Sequence, residues 1–128
     1  MANNIRQAVG RSHTVLASAA RTATPDTEEL EVPAGAKFGV FVLDATAAAD
    51  TPSVTMKIEG VDRTSGKVWL LLEDAAVTGV ATSTLKIGPG LTAAANEVAN
   101  DFLPPVIRIT CTHADADSIT YSVGAHFS

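Results

Sequence analysis

The chain is poor in cysteine, aromatic residues and cations, and each shortage excludes something. Its one cysteine, Cys111, leaves no internal disulfide and no cysteine pair for a zinc site. The flanking run Ile107-Arg108-Ile109-Thr110-Cys111 reads as strand, so Cys111 is expected as a small buried apolar side chain and not a nucleophile. Lys and Arg total 9 against 14 acids, for a formal charge of -5, and the basic residues are scattered. A phosphate-binding footprint needs them clustered, so no nucleic-acid partner is expected. No stretch reaches the roughly 18 to 20 continuous apolar residues that span a bilayer. Met1 to Thr14 also lacks the apolar central run of a signal peptide, so the expectation is a soluble chain made in the cytoplasm with no membrane partner. Only 5% of residues are aromatic although 46% are apolar, and much of that is alanine. The core must be built from small and β-branched side chains.

A length of 128 residues fits one domain, since folding at this size buries roughly 65 to 70% of the surface the unfolded chain exposes. Residues 1–12 are polar, with no strand alternation and too little length for an isolated helix, and read as an N-terminal arm. Residues 13–128 read as a single β-sandwich domain. There, short β-branched and apolar runs alternate with Gly, Pro, Asp and Ser clusters.

Thr14 to Arg21 is a weak first strand, and Glu28 to Val32 follows the Thr24-Pro25-Asp26 turn. Lys37 to Asp44 is apolar on both faces, with Phe38, Val40 and Val42 opposite Phe41 and Leu43, and is expected at the centre of a sheet. Val54, Met56 and Ile58 alternate with Thr55, Lys57 and Glu59, the pattern of a strand with one wet face. A turn through Ser65-Gly66-Lys67 joins it to Val68 to Leu72 as a hairpin. Thr82 to Ile87 is stopped by Gly88-Pro89-Gly90, and Leu91 to Asn100 is expected as loop with a helical turn. Pro104-Pro105 leads into Val106 to Thr112, which the turn at Ala114-Asp115-Ala116-Asp117 joins to Ser118 to Phe127 as a terminal hairpin. Seven or eight such strands make an all-β, antiparallel two-sheet β-sandwich, jelly-roll-like or Ig-like in order.

The residues that could carry chemistry each have a plainer reading. Ser65-Gly66-Lys67 lacks the second glycine and following helix of a phosphate loop, and reads as a hairpin turn. His113, Asp115 and Asp117 could offer a nitrogen and two oxygens to a cation, but their spacing fits aspartates capping a turn. No Gly-x-Ser-x-Gly elbow is present, and His13, His113 and His126 are isolated in the sequence. Glu28 with Glu29, and Glu73 with Asp74, read as solvated edge or loop residues. Trp69 and Tyr121 are assigned to the core, where scarce aromatic volume is most useful. The chain is therefore expected not to be an enzyme, with no catalytic residue, cofactor or metal.

One resemblance covers most of the chain after the arm. It is carried by Phe41-Val42-Leu43-Asp44-Ala45-Thr46, Val54-Thr55-Met56-Lys57-Ile58-Glu59-Gly60-Val61-Asp62, Ser65-Gly66-Lys67-Val68-Trp69, Ile87-Gly88-Pro89-Gly90-Leu91, and Asp115-Ala116-Asp117-Ser118-Ile119-Thr120-Tyr121-Ser122-Val123. In these stretches the chain resembles small structural proteins of tailed bacteriophages, most of all capsid decoration or cement proteins. The resemblance implies a virion component on the capsid exterior, a homo-oligomer such as a trimer, that bridges subunits of the major capsid protein. The alternatives are a tail or head-tail joining protein, or a carbohydrate-binding module. In the decoration reading the arm reaches across a neighbour and adds to a sheet edge. Asn3, Asn4, Ile5, Arg6, Val9 and Arg11 are its expected partner-binding residues.

Overall fold

The computed structural model describes residues 11–128, which form nine strands and no helix. These are β1 Ser12–Arg21, β2 Glu28–Glu31, β3 Gly39–Ala48, β4 Val54–Val61, β5 Val68–Glu73, β6 Ala81–Gly88, β7 Val98–Asn100, β8 Val106–His113 and β9 Ile119–Phe127. Ser12, assigned to the arm from sequence, is thus the first residue of a strand. The strands form two sheets, ordered β1-β9-β3-β6-β7 and β2-β8-β4-β5. All pairs are antiparallel except β6 with β7. Without β7, the chain alternates between sheets at every connection except the β4–β5 hairpin and the passage from β8 to β9 closes the pattern. That is the strand order of a jelly roll, two Greek keys wrapped as a sandwich.

The core lies where the inward faces meet. From the larger sheet come Phe41, Leu43, Leu85, Ile87, Ile119, Tyr121 and Val123, and from the smaller Val54, Met56, Ile58, Ile107, Ile109 and Cys111. Each fully buried large side chain contributes about 1.5 to 3 kcal/mol against exposure. β3 is central, as its two apolar faces require, paired on one side with β6 and on the other with β9.

Three expectations are corrected. The terminal hairpin does not form: β8 pairs with β2 and β4, whereas β9 pairs with β1 and β3 in the opposite sheet. Residues 114–118 are enough to cross the sheet spacing of about 10 Å, and they hydrogen-bond the neighbouring β3–β4 crossing through Ala114 N to Ser53 O and Ala49 N to Ser118 O. Both strands have wholly apolar inner faces, and placing them in facing sheets lets those faces cover each other. Leu91 to Asn100 holds no helical turn; Asn96 has φ 61° and β7 then runs parallel beside β6. The face of β4 expected to be wet is only partly so. Glu59 is buried, held by Arg108 Nη2 at 2.9 Å and Arg108 Nε at 3.1 Å, with Lys57 Nζ at 3.7 Å.

Candidate interaction surface

Strand direction gives the sandwich two unlike ends. At one end lie the starts of β1, β3, β5 and β8 and the finishes of β2, β4, β6, β7 and β9, tied together by Val32 N to Pro105 O, Phe127 N to Arg11 O and Lys37 N to Ser128 O. Here three aromatic side chains stand partly in solvent, Phe38 at 37%, Trp69 at 42% and Phe102 at 62% exposure.

Trp69 was assigned to the core, and the structure corrects this. It sits opposite Gly60 in the β4–β5 register, and a Cβ built on Gly60 would lie 2.4 Å from Trp69 Cζ2. The glycine therefore lets the indole lie flat on the strand, with its other face turned into a groove. A similar pair stands nearby, where Phe38 covers Gly88 so closely that a Cβ there would meet the ring. The exception in the strand pattern was the available signal: a glycine inside a strand marks a close approach. Alternation alone places Trp69 opposite Leu70 and Leu72, but a register shift between Ile58 and Glu59 turns both Leu71 and Leu72 inward.

The groove beside Trp69 has a volume of 630 Å³ and runs past Phe102, Pro104 and Pro105, with Arg63 and Lys67 at its rim. It is a shallow apolar trough whose rim is of mixed charge: Asp62 lines it beside Arg63 and Lys67, and Arg63 is paired with Glu31 at 3.0 Å. Arg63 and Pro105 also line a second hollow of 760 Å³, shared with His13 and Pro33. Phe102 lines a third of 440 Å³, with Lys37 and Pro89. The three are contiguous through these shared residues. Asp62 is not part of a reactive group: its carboxylate accepts from Thr64 N at 3.0 Å and Ser65 Oγ at 2.7 Å, which hold its pKa below the usual value. Gly66 at φ 76° completes that turn, as the hairpin reading of Ser65-Gly66-Lys67 requires.

Of the expected partner-binding residues, Asn3, Asn4, Ile5, Arg6 and Val9 lie outside the described residues. Arg11 is half-buried at this end, its carbonyl accepting from Phe127 N at 2.8 Å. Residues 1–10 are therefore joined to the fold at the aromatic end.

The opposite end carries most of its polar groups in hydrogen-bonded turns, with Val80 standing 68% exposed among them. Asp115 accepts from Asp117 N at 3.1 Å, and Asp117 accepts from Thr51 N and Thr51 Oγ1, each at 3.2 Å, so both aspartates serve turns as their spacing suggested. No group of three His, Cys, Asp or Glu side chains among the described residues is placed to hold a metal ion. Asp74, expected in solvent, is buried and accepts from Ser83 Oγ, linking the two sheets. Beneath this end Tyr121 is fully buried as expected, with its hydroxyl 2.8 Å from His113 Nε2 and the Arg21 guanidinium 4.7 Å above its ring. Burial, reinforced by Arg21, lowers the His113 pKa. Burial pushes the Cys111 thiol up to about 12, which keeps it protonated and a poor nucleophile.

Searches against protein-family models and curated proteins find no match for the chain.

Proposed function

We propose that this protein is a structural component of a bacteriophage particle, a capsid decoration protein that binds the outer shell and bridges major capsid subunits. The observation that carries the proposal is the aromatic end. Trp69 and Phe102 line one groove and remain partly exposed, and Phe38 is partly exposed at the same end, although the chain has only six aromatic side chains. Large apolar groups gathered on one patch are the usual mark of a protein contact. The resemblance to virion proteins supports the same reading, and the jelly-roll order agrees with it, because that architecture is frequent in capsid proteins. Fold likeness is an analogy and adds less than the patch does.

In this mechanism the rigid sandwich presents the aromatic end, and residues 1–10, attached there, reach a neighbouring subunit. Many copies on one shell supply avidity, so each contact can be weak. The test is co-sedimentation of the protein with heads of the phage that encodes it. Binding is expected to fall at least tenfold for Trp69→Ala with Phe102→Ala, and to fall on removal of residues 1–10. Unchanged binding in both variants would refute the proposal, and electron microscopy of the particle separates shell from tail by location.

A second reading, a carbohydrate-binding module, is favoured by one observation. The free face of Trp69 opens into a groove, the arrangement used to stack on a sugar ring. Quenching of Trp69 emission by an oligosaccharide, with no binding to phage heads, would select it.

A further inference from the structure

The hollows at the aromatic end follow one another across the sandwich. His13 of β1 lines the first with Val32 and Pro33, and Arg63 and Pro105 are shared between it and the groove of Trp69 and Phe102. Trp69, on the edge strand β5, is thus at the far side of a path that begins beside β1, the edge of the other sheet. The chain itself stands at that beginning. Arg11 O accepts from Phe127 N, two positions before His13, so the segment preceding Arg11 starts from the mouth of the first hollow. Continuing the line of β1 would carry it past the end of the sandwich. A turn back over the end falls at Gly10, where either sign of φ is accessible.

We propose that in the free protein residues 1–10 fold back over this end of their own chain, with Val9 in the hollow beside His13 and Ile5 in the groove against Trp69. Length permits it. The sheets are about 10 Å apart and three strand steps of about 4.8 Å separate β2 from β5, so a straight path from Arg11 to Trp69 is about 18 Å. Six extended residues, from Ile5 to Arg11, span about 20 Å. Pattern agrees, because Ile5 and Val9 are an even number of residues apart and share one face of an extended chain. Charge agrees too: residues 1–10 hold one of the nine Lys and Arg and none of the fourteen acids, so the rest of the chain, net negative, attracts them. Tethering decides between this copy and a second one. A short tether holds the segment at an effective concentration of about millimolar, far above that of another molecule in dilute solution.

The inference does not rest on the capsid reading, because it concerns the purified protein alone; in that reading the segment leaves the groove when a neighbouring subunit takes its place. Two measurements on the full chain test it. The first places a bimane label on Asn4→Cys, the only accessible thiol because Cys111 is buried. Trp69 is the one tryptophan of the chain and quenches bimane on contact. Emission should be well below that of the same labelled chain carrying Trp69→Phe, and the difference should persist on dilution. Equal emission in the two, or quenching lost on dilution as contact with a second copy requires, would overturn the proposal. The second is acrylamide quenching of Trp69. Ile5→Ser with Val9→Ser should raise the quenching constant about twofold by uncovering the ring, whereas Asn4→Ser with Ala8→Ser, on the other face of the extended segment, should leave it unchanged. A constant indifferent to Ile5→Ser with Val9→Ser, or moved equally by both pairs, would refute the assigned contacts.

Discussion

The two ends of the sandwich solve opposite problems with the same kind of connection. At one end, the connections at 22–27, 49–53, 74–80 and 114–118 carry five aspartates and no lysine or arginine. Several of these carboxylates are consumed within the fold: Asp117 by Thr51, Asp115 by the Asp117 amide, Asp74 by Ser83. At the other end, Asp62, Arg63 and Lys67 line a groove with Trp69 and Phe102, Lys37 lines the next hollow, and the aromatic surface is only partly used by the fold. The first end spends its carboxylates on its own hydrogen bonds and leaves Val80 in solvent, while the second keeps three aromatic side chains partly unburied. The difference locates interaction capacity at the second end.

Mutations can break or sharpen this contrast. The largest effect is expected for Tyr121→Ala, beneath the aspartate end, which empties a fully buried site and frees its hydroxyl partner His113. Urea denaturation should show a loss of about 3 to 5 kcal/mol. Gly60→Val comes next, at about 1 to 3 kcal/mol, because the added carbons must displace the indole or strain β4. Its fluorescence signature is a red shift of Trp69 emission, and an unshifted spectrum with full stability would refute the close packing on Gly60. Trp69→Ala should cost only about 1 kcal/mol in urea, since much of the ring is already in water. If it proved as damaging as Tyr121→Ala, the aromatic end would be core and not surface.

The smallest effect concerns pH. Because the folded-state pKa of His113 lies below 6.5, the unfolded chain binds that proton more readily. Stability from this group is therefore complete above about pH 6.5 and declines as the pH falls below it. Comparing urea midpoints at pH 7.5 and 5.5, the decline should be smaller in His113→Gln than in the wild type.

The longer strands were legible because they carry a period of two, from Val54-Met56-Ile58 to Ile119-Tyr121-Val123, whereas β7, three residues long, was not. Core membership of Tyr121 followed from the scarcity of aromatic volume, that of Cys111 from its strand-like flanks and the burial habit of a free thiol, and the turn roles of Asp115 and Asp117 from their spacing. The aromatic end was not legible. Trp69 is apolar and sits in an apolar strand, and its exposure depends on Gly60 across the ladder and on the irregularity that shifts Leu71 inward. Asp74 and Glu59 were read as solvated because their partners, Ser83 and Arg108, are distant in the chain.

The sequence by itself determined which residues extend, which faces are apolar and where the chain turns, since these follow from a repeat only two residues long and from local backbone preferences. Tertiary structure alone decided which strands pair. Alternation says that β8 and β9 each need a cover for one face, but it cannot say whether they lie side by side or across the core. Crossing at residues 114–118 made them face each other, set the jelly-roll order, and brought Phe38, Trp69 and Phe102 together at one end.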